Sequence, residues 1–184
     1  MFLQLRNLRK GLKTLLSKNH DRVVGMTQTD IFCDGSARGN GQHGARAGYG
    51  VIMIIDRIPA TKYSVKLPAT DPQTNQRAEL LALFHALRIV DEKKIPITIY
   101  TDSMYGINCV SVWGSSWKKR GWKKADGKPV LHIDIIEPMI TLYESLTESK
   151  FLTLKHVKGH QKTCTYEAYG NSLADELATQ AADS

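Results

Sequence analysis

The stretch Ile97–Tyr105, ITIYTDSMY, decides how the rest of the chain is to be read. Its first five residues alternate and are β-branched or aromatic, the pattern of a short strand. The strand stops at Asp102, and Ser103 stands where a helix N-cap belongs. An acid at the carboxyl end of a strand, just before a helix, points into the crevice where open α/β sheets place ligands. One such acid is also an ordinary strand-end residue. Its meaning depends on what the chain brings beside it.

Upstream, Thr29–Ser36, Tyr49–Ile55 and Lys62–Leu67 read as strands, joined by a Gly- and Asn-rich loop and by a turn over Asp56–Ala60. Three strands with short connections imply an antiparallel meander. Thr74–Val90 is a helix apolar almost all round, and therefore buried. The strand at Ile97 is reached through that helix and should run parallel to a neighbour. Downstream, Ser103–Trp113 is helical, and Gly114–Val130 is rich in Trp and Lys and broken by Gly121 and Gly127. A helix over His132–Leu146 contains Pro138, a strand follows at Phe151–Val157, then a polar loop Gly159–Gly170 and a last helix Asn171–Ala182. The fold class is α/β: a mixed five-stranded sheet flanked by helices.

The 184 residues suit one domain with a short appendage, and the 42% apolar and 23% charged content is that of a globular protein. No apolar run approaches the roughly 20 residues that a membrane span needs. Cys33, Cys109 and Cys164 form no CxxC pair, which favours a reducing, intracellular setting and argues against a zinc site. The net charge of +7 is concentrated: residues 1–28 and residues 113–130 each carry +5, on a near-neutral body. Two such basic patches point to a polyanion partner, nucleic acid before membrane. Residues 1–28 divide from a compact domain at 29–184. In them Leu5, Leu8, Leu12 and Leu15 share a face of a basic amphipathic helix that has no acid before Asp21. Three readings stand: a mitochondrial presequence, a nucleic-acid-binding arm, or a helix packed on the domain. Without import, the nucleus or cytoplasm is the expected location.

Four acids occupy informative places: Asp34 in the first strand, Glu79 early on the buried helix, Asp102, and Asp175 in the first turn of the last helix. Each has a bland reading; Asp175, for one, completes a capping box with Ser172. Together they read differently. A central first strand beside a parallel fourth would set Asp34 next to Asp102, and the buried helix would bring Glu79 across the same face. Carboxylates that close repel unless a divalent cation neutralises them. Oxygen donors select hard ions, Mg²⁺ or Mn²⁺, and a pair of such ions is the apparatus of in-line phosphoryl displacement.

The motifs FCDGSARGNG, TNQRAEL, YTDSMY, VKGH and GNSLADELA, in this order over Thr29–Ala182, resemble the ribonuclease H family, type 1. The resemblance implies a sheet in the order 3-2-1-4-5. It also implies endonucleolytic hydrolysis of the RNA strand of RNA–DNA hybrids, leaving 5′-phosphate and 3′-hydroxyl ends, by a monomer using two Mg²⁺ ions. By position it makes Asp34, Glu79, Asp102 and Asp175 the metal ligands and His160 the mobile histidine. Asn40, Asn75 and Gln76 become the RNA-strand contacts; amides suit a 2′-hydroxyl because they both donate and accept. The segment 113–130 resembles the family's basic protrusion. Tyr105, Trp113 and Trp117 would line a DNA-strand groove, with Lys118, Lys119, Arg120, Lys123 and Lys124 on phosphates.

Some positions depart from the family pattern. In the DNA phosphate pocket Thr74 matches, but Pro72 stands for the usual Arg and His132 for the usual Asn. The stretch from His160 to Asp175 is longer than usual, and Ser172 replaces a Glu. Two other readings are a junction resolvase or integrase-like nuclease of the same fold, and a catalytically silent nucleic-acid binder. The first leaves Asn75, Gln76 and the Trp-Lys segment without a role. The second leaves four repelling acids without a benefit.

Overall fold

The computed structural model describes residues 27–40, 42–161 and 165–184. The amphipathic leucine segment and Cys164 therefore lie outside the described residues. Strands β1 (Thr29–Arg38), β2 (Arg46–Ile55), β3 (Ile58–Lys66), β4 (Ile97–Thr101) and β5 (Leu152–His156) form one sheet in the order β3-β2-β1-β4-β5. The first three are antiparallel, while β4 runs parallel to β1, with Phe32 opposite Tyr100, and β5 runs parallel to β4. The expected meander and crossover are both present.

The β2–β3 turn is tighter than the composition suggests. Asp56 and Arg57 both adopt left-handed backbone (φ 49° and 67°), so two residues close the hairpin and β3 begins at Ile58. Pro59 thus lies inside a strand. It is tolerated because β3 is a sheet edge and the ladder shifts register at Met53/Ile54.

Two helices cover one face of the sheet: α1 (Asn75–Lys93) and α4 (Ile133–Glu148). Thr74 caps α1, its hydroxyl accepting the Arg77 N–H. Leu80, Leu83 and Leu87 of α1 and Ile136, Met139 and Ile140 of α4 pack on Ile31, Cys33 and Val51. On the other face, Ala174 of α5 (Tyr166–Asp183) packs on Phe32, Ile52, Ile54 and Tyr100. After β4 the helical run extends further than predicted, through α2 (Met104–Asn108), a π-helical turn Cys109–Trp113 and α3 (Gly114–Lys119). The first part of the Trp-Lys segment is therefore helix. Helix α5 also starts early, at Tyr166 with Thr165 as its cap, inside the predicted loop. Gly170 looks like a helix breaker in sequence. Here its bare Cα lets α5 lie against the Phe32 ring, which a Cβ would strike.

Candidate active site

Asp34 stands on β1 and Asp102 just past the end of the adjacent parallel strand β4, as expected. Glu79 arrives by another route than the sequence suggests. Helix α1 lies on the Ile31/Cys33 face, opposite the face that carries Phe32 and Asp34. It reaches the acids over Gly35, where an added Cβ would meet the backbone of Ala78 and Glu79. Asp175 belongs to the middle of α5, not its first turn, and Ser172 donates to the Tyr169 carbonyl instead of capping.

The four acids act on one another electrostatically. Asp34 is buried, and that burial, followed by the charges of Asp102, Asp175 and Glu79, pushes its carboxyl up to about 8; the Gly35 N–H, donating at 2.8 Å, opposes the rise. Burial and then Asp102 also raise Glu79, against hydrogen bonds from Ser103 and Asn75. Among the described residues no three His, Cys, Asp or Glu form a ready-made cation cage. Instead several carboxylate oxygens hold internal donors: Ser103 Oγ donates to Glu79 Oε2 at 2.6 Å and Asn75 Nδ2 to Glu79 Oε1 at 2.7 Å. A hard divalent cation fits this donor set, which is all oxygen and carries a repulsion that only positive charge relieves.

This electrostatics has a measurable consequence. Asp34 stabilises the fold while it is protonated, fully so below its unfolded value near about 4, and that contribution is lost as pH rises through about 8. In EDTA the melting temperature should therefore fall between about pH 5 and pH 9, and Mg²⁺ should restore it at the alkaline end. Asp34→Asn should flatten the profile; a wild-type profile already flat over that range would refute the assignment.

Residues not singled out in the sequence also touch the acids. Ser103 reads in the sequence only as an N-cap; it caps, accepting the Gly106 N–H, and also grips Glu79. Buried Asn171 sets Nδ2 3.5 Å from Asp102 Oδ2, and its Oδ1 has no partner among the described residues. Gly159 lies so close to Asp102 Oδ2 that a Cβ would collide with it. His160 follows, exposed and in left-handed backbone (φ 47°), at the edge of the acidic cluster. Adjacency to an acid in sequence is the one signal that could have found Ser103. Asn171 stands in the motif GNSLADELA, but its residue type alone does not mark it.

The candidate strand contacts divide into two groups. Asn40 and Asn75 sit together, the Asn40 Oδ1 accepting the Asn75 N–H at 3.1 Å. Gln76 turns instead toward a groove of about 420 Å³ that it lines with Tyr105, Trp113, Trp117, Arg120 and Lys124. Trp113 packs between Tyr105 (6.1 Å) and Trp117 (5.5 Å). Trp117 lines this groove from beneath. It is buried in the main core and forms the floor of the groove, because α3 packs on α4. Lys118 is held by Glu144 at 2.7 Å, whereas Lys119, Lys123 and Lys124 make no ion pair among the described residues. At the far side, His132 begins α4 with left-handed backbone (φ 57°), its Nδ1 3.5 Å from Arg77 Nη1. Arg77 is buried against Asp134 and Asp71, so this arginine is neutralised where Pro72 supplies no charge. Burial and then Arg77 hold the His132 imidazole below its ordinary range, against the pull of Asp134.

The family model for RNase H matches residues 26–183. The chain belongs to the RNase H family. Ribonuclease H of Aliivibrio salmonicida (strain LFI1238) is 36% identical over 158 residues, covering 86% of this chain and 90% of the relative. Ribonuclease H of Schizosaccharomyces pombe is 33% identical over 174 residues, covering 94% of this chain, and ribonuclease H1 of Homo sapiens is 35% identical over 153 residues, covering 83%. The chain spans 60% and 49% of the lengths of those two relatives. Among solved structures, the PFV RNase H domain superposes with a TM-score of 0.71 at 27% identity, over 86% of this chain and 96% of that one. These relatives are named ribonuclease H or ribonuclease H1, which places the chain in type 1 of the family.

Proposed function

We propose that this ribonuclease H binds RNA–DNA hybrids and hydrolyses their RNA strand, leaving 5′-phosphate and 3′-hydroxyl ends. The observation that carries this reading is the convergence of Asp34 on β1 and Asp102 just past the end of the neighbouring parallel strand β4 with Glu79, brought over Gly35 and bonded to Asn75. Two Mg²⁺ ions, or Mn²⁺, would supply activation of the attacking water and stabilisation of the leaving oxygen. The four carboxylates would hold them, Asp34 giving up its proton as it does so. His160, exposed at the rim, would carry a proton to or from solvent as product departs. Asn40 and Asn75 would read the RNA 2′-hydroxyls, with Gln76 at the boundary between the strands. Tyr105 and Trp113, on the Trp117 floor, would pack against DNA sugars. Thr74 and His132 would contact a DNA phosphate.

The test is incubation with labelled RNA–DNA hybrid, duplex RNA and duplex DNA, in Mg²⁺ or in EDTA. Cleavage confined to the hybrid and abolished by EDTA is expected; duplex DNA cleavage, or cleavage surviving EDTA, would sink the proposal.

Binding should be salt-sensitive. Neutralising Lys119, Lys123 and Lys124 should lower the slope of log affinity against log salt by about 1 for each phosphate left without its cation. Lys118 alone should change it less, because Glu144 already partners it. Anisotropy titrations over a salt series measure this, and an unchanged slope would remove the segment from the interface. The enzyme is proposed to act as a monomer inside the cell. For residues 1–28, fusion to a fluorescent reporter tests mitochondrial import, and a diffuse signal would end that reading. Among the described residues no helix is long and apolar enough to cross a membrane.

A further inference from the structure

Two amides proposed to meet the RNA strand already have one end engaged inside the protein. Asn75 Nδ2 donates to Glu79 Oε1, one turn along α1, at 2.7 Å. Asn40 Oδ1 accepts the backbone N–H of Asn75 at 3.1 Å. A carboxylate only accepts and a backbone N–H only donates, so neither amide can turn over without losing its partner. Asn75 is left with its carbonyl oxygen and its second N–H for a ligand, and Asn40 with its amino group and a second lone pair, each amide held in one orientation. Ser103 fixes the other oxygen of Glu79 at 2.6 Å and is itself held by the Gly106 N–H at 3.1 Å. The carboxylate therefore cannot swing away from Asn75 without breaking a second bond.

We infer that Glu79, beyond its proposed place in the metal site, is a positioning residue for telling RNA from DNA: it sets the polarity of the Asn75 amide before substrate arrives. The inference rests on the proposed reading of Asn40 and Asn75 as RNA contacts. A 2′-hydroxyl donates and accepts, so a pair of amides whose carbonyl and amino ends are fixed in place matches it, while deoxyribose offers neither group. An amide already oriented loses little freedom on binding, so the match adds to affinity for the hybrid and nothing to affinity for DNA. The row Ser103–Glu79–Asn75–Asn40 then links the carboxylate cluster to the reader of the sugar.

The test is binding in EDTA, where cleavage does not intervene, of a hybrid and a DNA duplex of the same sequence, read as the ratio of their dissociation constants. In Glu79→Gln the new side chain both donates and accepts, Asn75 is free to turn, and the hybrid preference should drop about fivefold, the worth of one ordinary hydrogen bond. Glu79→Ala should do the same, and adding Asn75→Ala to Glu79→Gln should lower the ratio no further. Asp102→Asn removes the same charge without touching Asn75, so it should tighten both duplexes alike and keep the ratio. A preference that survives Glu79→Gln, or falls equally in Asp102→Asn, overturns the inference while leaving the proposed function intact. A wild-type chain with no preference for hybrid overturns the reading of Asn40 and Asn75 as RNA contacts, and the inference with it.

Discussion

Asp34→Asn should abolish cleavage of the RNA strand, by at least about 10³-fold, or about 4 kcal/mol of transition-state stabilisation, while the hybrid remains bound. The substitution keeps the shape and can still accept the Gly35 N–H, but it removes the charge that a divalent cation would meet. The same change should make the metal-free fold more stable at pH 8, because burial and three neighbouring acids all oppose the ionised Asp34. Loss of activity with gain of stability marks a residue retained for chemistry at the expense of the fold. Asp102→Asn should lose activity to a similar extent. Single-turnover assays with anisotropy binding and melting curves measure all three quantities, and near-normal turnover in either variant would refute the proposed metal site.

Gly35→Ala should disturb the fold and the site together. The added methyl would meet the main chain of Ala78 and Glu79, which cannot rotate aside as a side chain can. Helix α1 must then move off β1, against a core in which Leu80, Leu83 and Leu87 are fully buried. Overpacking of this kind costs about 1–3 kcal/mol, or more where backbone must shift. The displacement would carry Glu79 away from Asp34 and Asp102, and a misplacement of about 1 Å lowers turnover by about 10²-fold. Chemical denaturation and turnover together test this; a variant as stable and as active as wild type would show that α1 does not depend on the bare Cα.

Much of the site was legible along the chain because its residues lie in local patterns. Asp102 ends a strand and precedes a cap, Asp34 sits at a defined parity in an alternating strand, and Asn75 and Glu79 lie one helical turn apart. The groove was half legible: the cluster of Trp and Lys announced a polyanion, but not that Trp117 would be buried while Trp113 stays partly exposed. Local pattern also misplaced the start of α5. A glycine after a polar run reads as a loop unless one knows that Phe32 lies beneath it.

The sequence by itself determined the strands and the places of the four acids along the chain, since periodicity and residue spacing act over a few residues; the sheet order was implied only by the resemblance to a known family. Tertiary structure decided which face Glu79 comes from, which oxygens Ser103 and Asn75 hold, how Asn171 and Gly159 abut Asp102, and which lysine Glu144 neutralises. Those outcomes depend on close approach between segments as many as 69 residues apart, as with Asn171 and Asp102. The strand ending in TDS places Asp102; the helix across Gly35 and the helix carrying Asn171 give it its neighbours.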